Sequence, residues 1–316
     1  MKKTAAVCLL ALGLAGQALA APAADAGGSI DQIRAAAERG DAAAQLKLGT
    51  RYEYDVRDGA QALVWYRKAA EQGLAAAQLS LGDIYRRGRG GIAKDAAQAA
   101  GWYRKAAEQG LAQAQYRLAL LYAQGEGVPK DTAQAAAWDR KAADQGDPEA
   151  QLSLGMRYQN GAGVARDDAQ AIAWYRKAAE GGNDIAQYTL GDRYASGQGV
   201  AQNDAQALHW FRKAAAQDDD DAQNRLGLMY KNGQGVPQDD AQALRWFRKA
   251  ARQDNPDAQF NLALMYETGR GVTPDKAKAL FWYRKAAKQG HADAPWKLRQ
   301  LEAGGGGNRA GGGDGR

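Results

Sequence analysis

The sequence predicts an all-α protein: a right-handed α/α superhelix, or solenoid, of about seven helix-turn-helix repeats with half-repeat caps. Three observations carry this. Tryptophan recurs at residues 65, 102, 138, 174, 210, 246 and 282, a spacing of 37 residues once and 36 five times. A period that regular marks one supersecondary unit copied and stacked. Each interval holds two helical apolar patterns separated by a turn, glycine-rich in all but the first. Both ends of the array read as halves of the same unit.

The chain opens outside the array. Lys2 and Lys3 form a positive region, Ala5 to Leu14 are nearly all apolar, and Ala18-Leu19-Ala20 has the small-x-small form that signal peptidase cuts. Residues 1–20 are therefore expected to be a signal peptide cleaved after Ala20, which places the protein in the periplasm or outside the cell. An uncleaved anchor is the alternative. The apolar run falls short of the about 20 residues that a spanning helix takes. No second apolar stretch follows, so no membrane insertion is expected after cleavage. The single cysteine, Cys8, leaves with the signal. Disulfide staples, thiolate metal sites and cysteine nucleophiles are thereby excluded from the mature chain. Losing Lys2 and Lys3 leaves 40 basic against 36 acidic residues, a dispersed +4 that does not argue for nucleic acid. Residues 21–29 read as a short linker, 30–302 as the array, and 303–316 as a disordered glycine-rich tail without core-forming residues.

Within the array, Pro148 to Gly182 serves as specimen. Ala150, Leu154, Gly155 and Tyr158 fall on one helical face. Asp147-Pro148-Glu149 supplies an N-cap, a first-turn proline and a carboxylate against the helix dipole. Gly161 and Gly163 end this first helix where the backbone needs positive φ. Val164 turns inward, and Asp167 with Gln170 has capping-box spacing, repeated by Asp131/Gln134, Asn203/Gln206 and Asp239/Gln242. The second helix carries Ala171, Trp174 and Ala178 on one face, a large ring between small residues. Units begin near Asp41, Leu74, Leu111, Asp147, Asn183, Asp219 and Asn255. The segments 30–40 and 292–301 echo half units, the capping that a solenoid needs. The first unit replaces the glycine turn with residues 54–58, and the second has one extra residue near Gly90.

The run Ala150, Leu154, Gly155, Tyr158, Gly161, Gly163, Val164, Asp167, Trp174, Lys177, Ala178, Ala179 and Gly182 resembles the Sel1-like repeat, a relative of the tetratricopeptide repeat. The resemblance covers about Asp41 to Gly290. It implies an α-solenoid that acts as an adaptor or scaffold for protein assembly, often in bacterial envelope or host-contact settings. Some Sel1-like proteins are cysteine-rich and linked to β-lactam binding or hydrolysis; this chain lacks their paired cysteines. An envelope hydrolase or β-lactam-binding protein is therefore the alternative from another class.

Catalytic signals are sparse. His209 and His291 lie in different units, and no P-loop, G-x-S-x-G or H-E-x-x-H occurs. Pairs such as Gly125 and Gly127 follow a helix and not a strand, so they read as turn glycines. No catalytic residue, metal site or cofactor is expected. Seven Arg-Lys pairs, from Arg67-Lys68 to Arg284-Lys285, sit late in the second helices. There they favour the dipole's negative end and cover apolar rings, or they form a stripe for an anionic polysaccharide.

By analogy with tetratricopeptide repeats, the outward positions of the first helices line a concave groove. Tyr116, Leu152, Met156, Tyr188, Asp192 and Phe260 are the candidate partner-binding residues. Exposed apolar and aromatic groups of this kind make binding hot spots; the alternative is that the aromatics pack against neighbouring helices. Asp83, Arg157 and Arg193 would add polar specificity. The expected function is a protein-binding scaffold whose partners the sequence does not name.

Overall fold

The structure, a computed structural model, describes residues 29–89 and 91–303. The expected signal peptide, nearly all of the linker, Gly90 and the tail from residue 304 lie outside the described residues. Among the described residues there are sixteen α-helices and no strand. The chain divides into two compact units, residues 1–94 and 95–316. The first holds α1 (Ile30–Glu38), α2 (Ala42–Arg51), α3 (Gly59–Glu71) and α4 (Ala75–Arg87). The second holds α5 (Ala96–Glu108), α6 (Ala112–Gln124), α7 (Thr132–Asp144), α8 (Pro148–Asn160), α9 (Asp168–Glu180) and α10 (Asp184–Ser196). It continues with α11 (Asp204–Ala216), α12 (Asp220–Asn232), α13 (Asp240–Arg252), α14 (Pro256–Thr268), α15 (Lys276–Lys288) and α16 (Ala294–Ala303). Even-numbered helices open a repeat and odd-numbered helices close one. Within each unit every helix packs on the next in sequence, the arrangement of an α-solenoid.

Polar side chains set the helix starts. Asp58, Asp95, Asp131, Asp167, Asn203, Asp239 and Asp275 each accept a hydrogen bond from the backbone N–H three residues on. The reciprocal half of the expected capping box is recorded only at Ser29 and Gln32. Its absence elsewhere has a cause: the cap's own N–H is already taken. Asp131, Asp167, Asn203, Asp239 and Asp275 donate it to the carbonyl of Tyr122, Tyr158, Tyr194, Tyr230 and Tyr266 at 2.8–2.9 Å. That bond closes the loop between the two helices in each of these five repeats. The short loop of the first unit closes the same bond, Asp58 to Tyr52 at 2.8 Å, through a π-helical turn over Tyr52–Val56. Arg57, at φ 60°, stands there in place of a glycine.

The loop glycines divide their work. Gly161 adopts φ 68° and caps α8, with no neighbour closer than 3.6 Å to an added Cβ. Gly163 adopts φ 82° and lies against the head of α7, where an added Cβ would meet the Thr132 carbonyl oxygen at 1.9 Å. Each such loop therefore docks on the closing helix of the preceding repeat.

The core is alanine plus rings. Ala171, Trp174 and Ala178 are buried together as the periodicity predicts. Beside the tryptophan sits a second ring: Tyr66, Tyr103, Tyr175, Phe211, Phe247 and Tyr283 are each 0–2% exposed. Tyr66, Tyr175, Phe211 and Phe247 lie on a glycine of the opening helix, whereas Tyr283 packs beside Ala263. A Cβ on Gly155, Gly191 or Gly227 would come within 2.6, 2.8 or 2.5 Å of Tyr175, Phe211 or Phe247. Burying one such ring stabilises by about 2–3 kcal/mol.

Candidate functional site

What the repeat chemistry leaves available decides where a partner can bind. The seven periodic tryptophans are wholly or partly covered: Trp65, Trp174 and Trp210 are buried, and Trp102, Trp138, Trp246 and Trp282 half-buried, whereas Trp296 in the closing half-repeat is exposed. Each Arg-Lys pair is turned to internal use. The lysine ammonium lies over the ring of the tryptophan three residues earlier, from 4.0 Å at Lys141 and Lys177 to 5.6 Å at Lys285. The arginine donates to a tyrosine hydroxyl 18 residues later. Arg67 reaches Tyr85, Arg176 reaches Tyr194, Arg212 reaches Tyr230 and Arg248 reaches Tyr266, each at 2.8 Å. Arg104–Tyr122 and Arg140–Tyr158 repeat the bond. In the closing half-repeat Glu302 replaces the tyrosine and accepts from Arg284 at 2.7 Å. The basic ladder thus joins each closing helix to the next opening one.

A glutamine spine, unread in the sequence, does the same deeper down. Gln45, Gln78, Gln115, Gln151, Gln187, Gln223 and Gln259 are buried, and each donates to the carbonyl eight residues earlier. Gln187 Nε2 lies 3.0 Å from the Ala179 oxygen while its Oε1 accepts from Gln217 at 2.9 Å. The sequence signal was present, as glutamine follows the repeat alanine in every unit.

The closing helices also expose Val64 and Phe281; the expected groove lies on the opening helices. The candidate partner-binding residues all lie in the second unit, on α6, α8, α10 and α14, whereas Asp83, expected to add polar specificity, is buried on α4 of the first unit. Leu152 is buried at 4% exposure and belongs to the core cluster of α9. Met156 is half-buried against the same cluster. Tyr116, Tyr188 and Phe260 are also half-buried. Tyr188 packs on Phe211 with centroids 5.7 Å apart, and Phe260 stacks on His291 at 4.2 Å and touches Tyr283 at 5.4 Å. These rings thus offer an edge outward and are also part of the packing. Burial raises the pKa of the Tyr116 hydroxyl, and the carboxylates of Glu149 and Asp139 raise it further. Burial likewise raises that of Tyr188, with Arg225 opposing.

Polar links run across this face between successive opening helices. Asp192 accepts from Arg225 at 3.0 Å, Asn261 donates to Asn224 at 3.1 Å, and Asn183 donates to Glu149 at 2.9 Å. Half-buried Leu120, Leu228 and Leu264 lie between them in the repeat register. Arg193 turns to Gln198 in the following loop. Arg157 is placed differently from the expectation: it is buried and bonds Asp139, not a groove partner. Position 139 is aromatic in the other six repeats, and this exchange was legible in the sequence. Burial pushes the Asp139 carboxyl up to about 6, against Arg157 and Ser153. Among the described residues no group of three or more His, Cys, Asp or Glu side chains could hold a metal ion. No described helix is long and apolar enough to cross a membrane.

Stacked helix pairs stitched by side-chain bonds, with one helix face left over, define a repeat scaffold of the α-solenoid class. The chain belongs to the Sel1 repeat family, whose profile matches residues 42–74, 75–111, 112–147, 148–183, 184–219, 220–255 and 256–291. It is similar to a protective antigen present in uropathogenic Escherichia coli strains, which displays an SLR fold. That match has 43% identity and a TM-score of 0.83, covering 87% of this chain and 59% of the antigen. It is also similar to a Sel1 repeat protein from Oxalobacter formigenes, at 33% identity and a TM-score of 0.66, covering 77% of this chain and 96% of that one. No curated protein matches the chain. Sel1-repeat proteins generally bind proteins as interaction scaffolds, and the fold is typically non-enzymatic.

Proposed function

We propose that the mature protein is an exported scaffold that binds protein segments along its opening helices in the second unit, with no chemistry of its own. The supporting observation is how the two helix faces differ. The closing helices commit their recurrent cations to tyrosine hydroxyls and tryptophan rings, whereas the opening helices keep Met156, Asp192, Leu228 and Leu264 partly open. An apolar centre with polar groups beside it is what a partner's anchor residues require. The export signal in residues 1–20 puts this activity in the periplasm or outside the cell. The similarity to a protective antigen accords with such a setting.

The test uses mature protein to capture partners from cells that export it, followed by Met156→Arg, Asp192→Arg and Leu228→Arg variants. Reduced capture with unchanged helical content supports the assignment. Full capture by all three variants refutes it. The polysaccharide alternative loses ground because the ladder's cations already have internal partners. The β-lactam alternative gains no arrangement of catalytic groups among the described residues.

A further inference from the structure

We propose that the third repeat, residues 112–147, is the point at which the stack of the second unit opens. Four features of α6, α7 and α8 lead there. First, α7 buries nothing larger than alanine except one carboxylate: Ala135, Ala136, Asp139, Ala142 and Ala143. Three later closing helices bury far more, Ile172, Trp174 and Tyr175 in α9, Leu208, Trp210 and Phe211 in α11, Leu244 and Phe247 in α13, and the last, α15, still buries the Tyr283 ring. Even alanine-rich α5 buries Tyr103 completely.

Second, the missing ring is the one that clamps a repeat's own two helices. Tyr175 lies on Gly155 and donates its hydroxyl to Gln159 at 2.6 Å, both in its own repeat. Asp139 makes no such bond within its hairpin. Its Oδ2 faces the next repeat and accepts from Arg157 Nε and Ser153 Oγ, both at 2.6 Å. Third, the replacement is a weak clamp. Both partners of the Asp139–Arg157 pair are buried, at 0% and 8% side-chain exposure, so desolvation offsets much of their attraction. Fourth, the other carboxylate oxygen, Oδ1, is buried without a hydrogen-bond partner.

In a linear array stability is local, a sum of each repeat and its two interfaces. The segment with the least buried apolar surface opens first. The third repeat lies between better-packed neighbours, so the opening is internal and not terminal fraying. It also falls inside the face described above, since Tyr116 stands on α6 and Leu152 and Met156 stand on α8. Opening there changes the spacing of those residues without unfolding the rest.

Hydrogen exchange read by mass spectrometry on the whole chain tests this. After correction for intrinsic rates, amides of α7 should exchange at least about tenfold faster than those of α9, α11 and α13. Asp139→Tyr combined with Arg157→Met restores the residue types found at these positions elsewhere, as at Tyr283 and Met229. Ala119 accommodates the ring, because fully buried Tyr283 packs in one cluster with the equivalent Ala263. That variant should slow α7 by about tenfold and leave α13 unchanged. Equal protection of α7, α9, α11 and α13 in the wild-type chain overturns the proposal. So does a folded double variant whose α7 exchanges as before. Should the variant fail to fold, the wild-type comparison decides alone.

Discussion

Replacing Gly163 by alanine tests whether the loops hold the stack together or merely connect helices. Two costs act on Gly163→Ala. Its φ of 82° lies in the left-handed region, where a residue with a Cβ is strained by about 1–2 kcal/mol. The new methyl would also sit 1.9 Å from the Thr132 carbonyl oxygen. A backbone atom at the head of a helix has no rotamer to change, so the loop must lift, at a cost of about 1–3 kcal/mol. Together these give about 2–5 kcal/mol. Gly161→Ala is the matched control, with φ 68° and its nearest neighbour at 3.6 Å, so only the strain of about 1–2 kcal/mol applies. Urea unfolding followed by helical circular dichroism should place the midpoint of Gly163→Ala well below that of Gly161→Ala. Amide protection in the first turn of α7 should fall only in Gly163→Ala. If both substitutions cost the same and α7 keeps its protection, loop docking contributes nothing and the reasoning is wrong.

The Asp139 carboxyl, raised to about 6 from 3.8 by burial, binds its proton more tightly in the folded chain than in the unfolded one. The resulting penalty builds as pH rises from about 4 to about 6, so wild type should gain about 1–1.5 kcal/mol between pH 7.5 and pH 5 relative to Asp139→Asn, measured by parallel urea titrations. Gln187→Leu removes one acceptor of the Gln217 amide and one donor to the Ala179 carbonyl, both of which keep a bond to Gly182, and should destabilise by about 0.5–1.5 kcal/mol in the same assay. A double-mutant cycle between Arg176→Ala and Tyr194→Phe should return a coupling of about 0.5–1 kcal/mol, and zero coupling would deny the ladder its stitching role. Mass analysis of the exported protein should find Ala21 as its first residue, whereas retention of residues 1–20 would contradict the proposed setting.

The repeat was legible because its physical requirements recur at fixed intervals. Trp174 and Ala178 need each other as ring and gap, Asp167 must cap α9, and Gly161 must turn the chain, so periodicity alone located the helices. The ring after each tryptophan was harder to see: Tyr175 reads as one more aromatic until Gly155 is found beneath it. The capping box was over-read, since a glutamine three residues after Asp131 shows spacing and not that the Asp131 N–H already belongs to Tyr122. Tyr188 and Phe260 kept both readings because half-burial serves packing and presents an edge at once. Arg157 misled for another reason. A lone charge on an opening helix resembles a surface residue until Asp139, 18 positions earlier, is seen where the other repeats have a ring.

Photo-crosslinking in living cells tests most directly which helix face carries recognition. A crosslinking residue at position 156 or 192 on the opening helices is compared with one at position 173 or 245, which are exposed on closing helices. Specific protein adducts at 156 and 192, with none at 173 and 245, are the predicted result. Adducts confined to 173 and 245 would contradict the account and move the binding surface to the other side of each repeat.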